Sequence, residues 1–285
     1  MSTLRPDRLI TLGLAKPVVR LRGFLRTPAK TRLLPILMYH SISDDPEHDF
    51  SPYYKVCTAP KRFAEQMQWL ADAGYRGVSL QEGLSFLAGN SPAGPRPVAI
   101  TFDDGFRDFH TEAFPSLKRF GFTATMYLAT GYVADERKSF KSRECLTWTE
   151  VKELHQAGME FGSHTVTHPK LVDLDWPEIA AELRESRSTI EAQLGQPVHS
   201  FAYPFAFPQA RVAFARRFCE TLVQTGYENC VTTAVGQARP GDDLLQLKRL
   251  PVNNADDRAL LEAKLTGAYD WISLFQLVSK KLRRR

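Results

Sequence analysis

Short runs of β-branched and apolar residues alternate with segments of helical period from about residue 33 to 252, and this alternation constrains the fold more than any other feature. The strand-like runs fall at 33–42, 77–80, 98–102, 123–129, 159–163, 198–203, 230–234 and 247–252. Between them lie helical patterns at 61–73, 82–87, 106–120, 148–157, 177–194 and 210–222. Phe63, Met67 and Leu70 form one apolar stripe stopped by Gly74, and Ile179, Leu183, Ile190 and Leu194 form another. Thr147 and Glu150 make a capping box for the helix that follows. A strand that leads into a helix and then into another strand needs a crossover, so the class is α/β with a mostly parallel sheet. Eight candidate strands fit a closed barrel, whose strand C-termini share one face. There His40, Asp103, Asp104, His164 and the segment around Pro204 would meet, although they are far apart in the chain.

The chain divides by charge into a basic arm (1–32), a catalytic body (33–255) and C-terminal helices with a basic tail (256–285). Residues 1–32 carry eight Lys or Arg against the single Asp7, and five of the last six residues are basic. With a net charge of +5 overall, the body between these ends is mildly acidic. No aromatic-interleaved basic patch or zinc-finger spacing points to nucleic acid, so peripheral contact with an anionic membrane is at least as good a reading of the ends, with solvated, poorly ordered termini as the alternative. The stretch 269–282, with Trp271, Phe275 and a following Lys/Arg cluster, could lie at such an interface or pack on the barrel. Residues 1–31 read as an arm or an irregular helix, broken at Pro17 and Pro28. The apolar run 9–15 ends at Lys16 and Pro17 without a cleavage pattern and reads as a poor signal peptide. The expected location is therefore the cytoplasm or the cytoplasmic face of the membrane. Cys57, Cys145, Cys219 and Cys230 form no metal or disulfide spacing.

Two stretches carry the chemistry. Thr101-Phe102-Asp103-Asp104-Gly105 closes an apolar run, and at a strand end neighbouring carboxylates diverge, so one can bind a cation while the other stays free. Turn and N-cap roles for the two aspartates are the alternative. Sixty residues on, His164-Thr165-Val166-Thr167-His168-Pro169 has histidines at metal-protease spacing but Thr165 where those enzymes have Glu, and Pro169 favours a strand-end loop over a helix. Two imidazoles and one carboxylate can hold a divalent ion and leave a position open for water. Asp104 is the expected carboxylate ligand, with Asp103 as general base.

Together, Thr101 to Gly105 and His164 to His168 resemble the polysaccharide deacetylase family, also called the NodB-homology domain or carbohydrate esterase family 4, over roughly 33–252. The resemblance implies a distorted (β/α) barrel of seven or eight strands with an Asp-His-His site of Asp104, His164 and His168. That site usually holds Zn2+, while Ni2+, Co2+ or Mn2+ also occur, and the reaction removes N-acetyl groups from glucosamine-containing glycans. Phe201-Ala202-Tyr203-Pro204-Phe205-Ala206 is similar to the block of the branch that also has Met-Tyr-His, here Met38-Tyr39-His40. By that resemblance the Phe205 N–H is the oxyanion donor. Ala202 stands where many members have the Arg that pairs with the base; Arg249 is either its replacement or a surface ion pair. Many members carry a Leu-x-His general acid, but no histidine follows His199, which leaves His40 to donate the proton, bind sugar or brace the site. His48, His110, His155 and His199 are expected at the surface or behind the site. The resulting expectation is a metal-dependent carbohydrate N-deacetylase acting on a polysaccharide or lipid-linked glycan. A C–N hydrolase of a small amide and a catalytically impaired glycan-binding protein are the alternatives.

Overall fold

The computed structural model describes residues 5–17, 32–47, 55–90, 94–273 and 276. Its eight-stranded sheet comprises β1 (Ile36–Tyr39), β2 (Tyr75–Val78), β3 (Arg96–Phe102) and β4 (Thr125–Leu128). A small hairpin, β5 (Ser139–Phe140) with β6 (Arg143–Glu144), stands apart from it. The sheet continues with β7 (Glu160–Ser163), β8 (Ser200–Ala202), β9 (Asn229–Val235) and β10 (Leu247–Pro251).

All eight sequence-predicted strands are present, but they do not all join the ring. The order β1-β10-β9-β8-β7-β4-β3 returns to β1 through the pairs Ile36↔Ala99 to Tyr39↔Phe102, which closes a barrel of seven parallel strands. β2 pairs with the first half of β3, from Arg96 to Ala99, while β4 takes the second half at Thr101 and Phe102. That division leaves β2 as a flanking strand.

Pleating sorts the side chains. Ile36 and Ala99 belong to a small cluster with Tyr127, Ala202, Val231 and Leu247, whereas Leu37, Ile100 and Phe102 join the large core shared with the surrounding helices. On β3 the period of two therefore puts Thr101 and Asp103 on the same side as Ala99.

The helices follow the sequence signals. The capping box of Thr147 and Glu150 opens Trp148–Gln156, and a second box of Asp175 and Glu178 opens Trp176–Leu194. One expectation is corrected: the helix read over 106–120 is a π turn, Phe109–Ala113, followed by Phe114–Arg119. Asp104 and Gly105 both take positive φ, 76° and 74°, so the chain turns away before helix can begin. At the N-terminus, Pro6–Ile10 and Thr11–Ala15 form a short helix with a π turn, docked on Arg258–Leu265 rather than free as an arm. His48, most of the expected 269–282 helix and the basic tail lie outside the described residues.

Candidate active site

The rim at the strand C-termini gathers the predicted residues. His40 follows β1, Asp103 and Asp104 follow β3, His164 follows β7 and Phe205 lies three residues beyond β8, while Arg249 projects from within β10. All but Phe205, which is 44% exposed, are buried or half-buried.

Asp104, His164 and His168 each present a ligand atom, and these atoms lie within 4.8 Å of one another. His168 Nε2 is 3.2 Å and His164 Nε2 3.7 Å from Asp104 Oδ1. The proton inventory favours a cation there. His164 Nδ1 lies 2.7 Å from the Ala202 carbonyl, which can only accept, so the proton sits on Nδ1 and the Nε2 lone pair faces Asp104. Asp104 Oδ1 is buried with no hydrogen-bond partner among the described residues, an unfavourable arrangement that a positive ion would relieve. The residues present thus fit a divalent ion with nitrogen and oxygen ligands. Burial opposes ionisation of Asp104, but the imidazoles and the Lys141 ammonium outweigh it and hold the carboxyl far below the usual carboxylate range. Burial brings His164 down to about 4, so it is neutral and able to coordinate at physiological pH.

The backbone that carries these ligands is unusual. Apart from Glu47, every described non-glycine residue with positive φ belongs to this rim or its hairpin: Asp104, Lys141, Ser142, Thr165, His168 and Phe205. Side chains hold the His164–His168 loop in that shape. Thr165 Oγ1 donates to the His164 carbonyl and accepts from the His168 N–H, and Glu182 accepts from the N–H groups of Val166 and Thr167 at 2.7 and 3.0 Å. Gly131 donates its N–H to the Val166 carbonyl, and a Cβ at Gly131 would lie 2.8 Å from that oxygen. Only glycine lets the two backbones approach so closely.

Asp103 has a different environment. Arg249, whose side chain is fully buried, donates to both of its carboxylate oxygens at 2.7 Å, and also to Thr101 Oγ1 and the Thr232 carbonyl. Of the two readings of Arg249, the surface ion pair is excluded by this burial. Burial works against the Asp103 charge, but the guanidinium outweighs it and keeps the carboxyl below its ordinary range. His40 Nε2 lies 3.9 Å from Asp103 Oδ2, and burial pulls its imidazole below the usual value despite the neighbouring carboxylates. The Phe205 N–H makes no hydrogen bond among the described residues, and its φ of 58° marks a turn stabilised by Thr233, which donates to the Phe205 carbonyl.

Sequence reasoning missed three contributors. Lys141, at the tip of the β5–β6 hairpin, reaches Asp104 Oδ2 at 3.1 Å and lies 4.6 Å above the Phe140 ring. Asp108 accepts from Ser41 Oγ and steadies the chain just after His40. Glu182 comes from mid-helix. None of the three carries a local signal, since two-residue strands and solitary carboxylates are common everywhere. His110, His155 and His199 instead make peripheral contacts with Glu153, the Met159 carbonyl and Glu228.

A closed parallel barrel with a buried Asp-His-His cluster beside an arginine-held carboxylate defines a (β/α) hydrolase of the NodB type. The sequence profile described as polysaccharide deacetylase matches residues 90–229. YxkH of Bacillus subtilis (strain 168), named as a candidate polysaccharide deacetylase, is 30% identical over 226 residues, which cover 79% of this chain and 72% of that protein. The chain belongs to the polysaccharide deacetylase family. It also matches a poly-β-1,6-N-acetyl-D-glucosamine N-deacetylase of Escherichia coli (strain K12), 30% identical over 45% of this chain but only 20% of that protein. Among solved structures, a Streptococcus pyogenes deacetylase, PplD, in complex with acetate is similar with a TM-score of 0.69 and 29% identity, covering 82% of this chain and 99% of that one. IcaB from Ammonifex degensii is similar with a TM-score of 0.67 and 25% identity, over 83% of this chain and 98% of that one.

Proposed function

We propose that this chain removes N-acetyl groups from N-acetylglucosamine-type sugars of a polysaccharide or lipid-linked glycan, using one divalent cation, with Zn2+ the first choice. The observation that carries the proposal is the buried Asp104 Oδ1, without a hydrogen-bond donor among the described residues and set against two imidazoles, one of them fixed in its ligating tautomer, directly beside a separate carboxylate held by Arg249. Relatives named as poly-β-1,6-N-acetyl-D-glucosamine N-deacetylases support the substrate class.

Asp104, His164 and His168 would hold the cation, which supplies Lewis acidity toward the acetyl carbonyl and makes water more acidic. Asp103 accepts the proton of the attacking water. Its bidentate pair with Arg249 fixes both carboxylate oxygens and keeps it ionised before attack. The unengaged Phe205 N–H is available to the oxyanion that develops on the acetyl oxygen. His40, 3.9 Å from the base, takes the part of proton donor to the departing amine, in place of the histidine that the C-terminal region lacks. The half-exposed rings around the mouth, Tyr132 stacked on Phe140 at 4.2 Å and Phe205 beside His168 at 4.6 Å, offer apolar faces to a pyranose.

The test is acetate release from N-acetylglucosamine oligomers by metal-loaded protein, beside Asp103→Asn and His164→Ala. Release that both substitutions abolish is the expected result. A protein that binds one metal ion per chain and releases no acetate from these oligomers would refute the substrate assignment.

A further inference from the structure

The N-terminal helix is amphipathic in the reverse sense. A helix on a globular body normally buries its apolar stripe and shows its polar side to water. Over residues 6–17 the outward residues are Pro6, Leu9, Ile10, Gly13, Leu14 and Pro17, with Leu9 55%, Ile10 39% and Leu14 67% exposed. The polar side faces the body. Arg5 pairs with Asp256 at 3.5 Å, Arg8 with Asp257 at 2.5 Å and Lys16 with Glu262 at 3.3 Å. Tyr269 Oη donates to Asp7, and Trp271 Nε1 donates to the fully buried Thr11 hydroxyl. The hydrogen bonds and ion pairs of this helix thus face the body, and Leu9, Ile10 and Leu14 are turned outward while Leu12 and Ala15 are partly covered.

Leaving that face in water forgoes the free energy of burying three large aliphatic side chains, so the arrangement makes sense only with a cover. Charge selects the cover. The sequence that follows the helix, residues 17–32, contains Arg20, Arg22, Arg26, Lys30 and Arg32 and no acidic residue. A second copy of the chain would bring two such basic segments together, whereas a bilayer offers an apolar interior beneath anionic headgroups. We propose that this helix is a lipid-facing foot, with Leu9, Ile10 and Leu14 inserted at the interface of an anionic membrane.

The docking fixes the orientation as well. The Arg5 end lies at Asp256, beyond the C-terminal end of β10, and Lys16 lines a cavity with Tyr75 and Arg96, where β2 and β3 begin. The helix therefore runs along the barrel flank, and a bilayer on its outer face meets the barrel side-on, with the catalytic rim opening along the membrane surface.

The test is co-sedimentation of the full chain with vesicles of phosphatidylcholine alone and of phosphatidylcholine mixed with phosphatidylglycerol. Expected are binding to the mixed vesicles that weakens with added salt, and a loss of at least about tenfold in Leu9→Glu/Leu14→Glu. Leu9→Ser/Leu14→Ser, which adds no charge, should lose binding in the same sense. Unchanged melting temperatures in both variants show that the fold is intact, as exposed positions allow. Equal binding by wild type and variants overturns the proposal. So does a wild-type chain that ignores both vesicles but is dimeric in lipid-free solution and monomeric after Leu9→Glu/Leu14→Glu, because a second copy then covers the face. Vesicle binding is read without substrate, so the outcome is independent of the deacetylase assay.

Discussion

Replacing Arg249 by Met tests Asp103, the proposed base, and its support together. The guanidinium is fully buried and makes four hydrogen bonds, two of them to a carboxylate that is itself 3% exposed. Removing one partner of a buried ion pair leaves the other charge unpaired, at a cost of about 3–5 kcal/mol. Two charge-assisted bonds of roughly 1.5–3 kcal/mol each are lost from the ionised form of Asp103, and burial, no longer opposed by the guanidinium, raises its carboxyl. The sign of the pH dependence follows. In the wild type the depressed Asp103 contributes stability that is present above its unfolded value and lost as pH falls through the folded value. In the variant the folded carboxyl titrates above the unfolded one. It is then a liability at neutral pH that diminishes as the group becomes protonated, so the gap between variant and wild type narrows from pH 7.5 to pH 5. Urea denaturation of the metal-free protein at the two pH values measures this directly. Arg249→Met/Asp103→Asn, in which neither charge remains, should recover most of the loss at pH 7.5. A single-variant cost below about 1 kcal/mol at pH 7.5, or no recovery in the double variant, would show that the pair is solvated and that the argument for a held, ionised base is wrong.

Glu182→Ala should loosen the His164–His168 loop by removing the acceptor of the Val166 and Thr167 N–H groups, lowering metal affinity by about 10–100-fold in a chelator competition. Gly131→Ala, whose added methyl would meet the Val166 carbonyl at 2.8 Å, should displace the same loop from the opposite side and weaken metal binding without altering Asp103. At Glu150, burial opposes the charge, but Arg137 and the Thr147 N–H outweigh it and bring the carboxyl down to about 2. Its contribution to stability should be present above about pH 4.5 and fade toward pH 2; Glu150→Gln should therefore lower the melting temperature at pH 6 and have little effect near pH 2.

The strands and most helices were legible because burial on both faces leaves long apolar runs, and because Thr147, Glu150 and Gly74 mark helix ends by local chemistry. The Asp-Asp-Gly and His-x-x-x-His stretches were legible as chemistry, since their spacing is local. What joins them is not. Arg249 lies 146 residues from Asp103, and only barrel closure reveals that it faces the base rather than solvent. Nothing in the sequence of β2 tells that it pairs only with the first half of β3, leaving the second half to β4 and the ring. Lys141 and Glu182 enter the site from the turn of a short hairpin and from a helix surface, where no pattern distinguishes them from ordinary exposed charges. The docking of the N-terminal helix was hidden for a related reason, because its contacts are ion pairs with residues about 250 positions away.

The closed ring also implies an order of assembly. Asp104, His164 and His168 follow β3 and β7, which are separated only by β4, so the segment 96–168 already contains all three. Asp103 acquires its arginine only when β10 pairs with β1, a pairing of Leu37 with Leu250 that closes a loop of more than two hundred residues. Long-range closure of this kind comes late, after local pairings have formed. The Asp103–Arg249 pair is therefore expected to form after the Asp104, His164 and His168 cluster, with the arrival of the last strand.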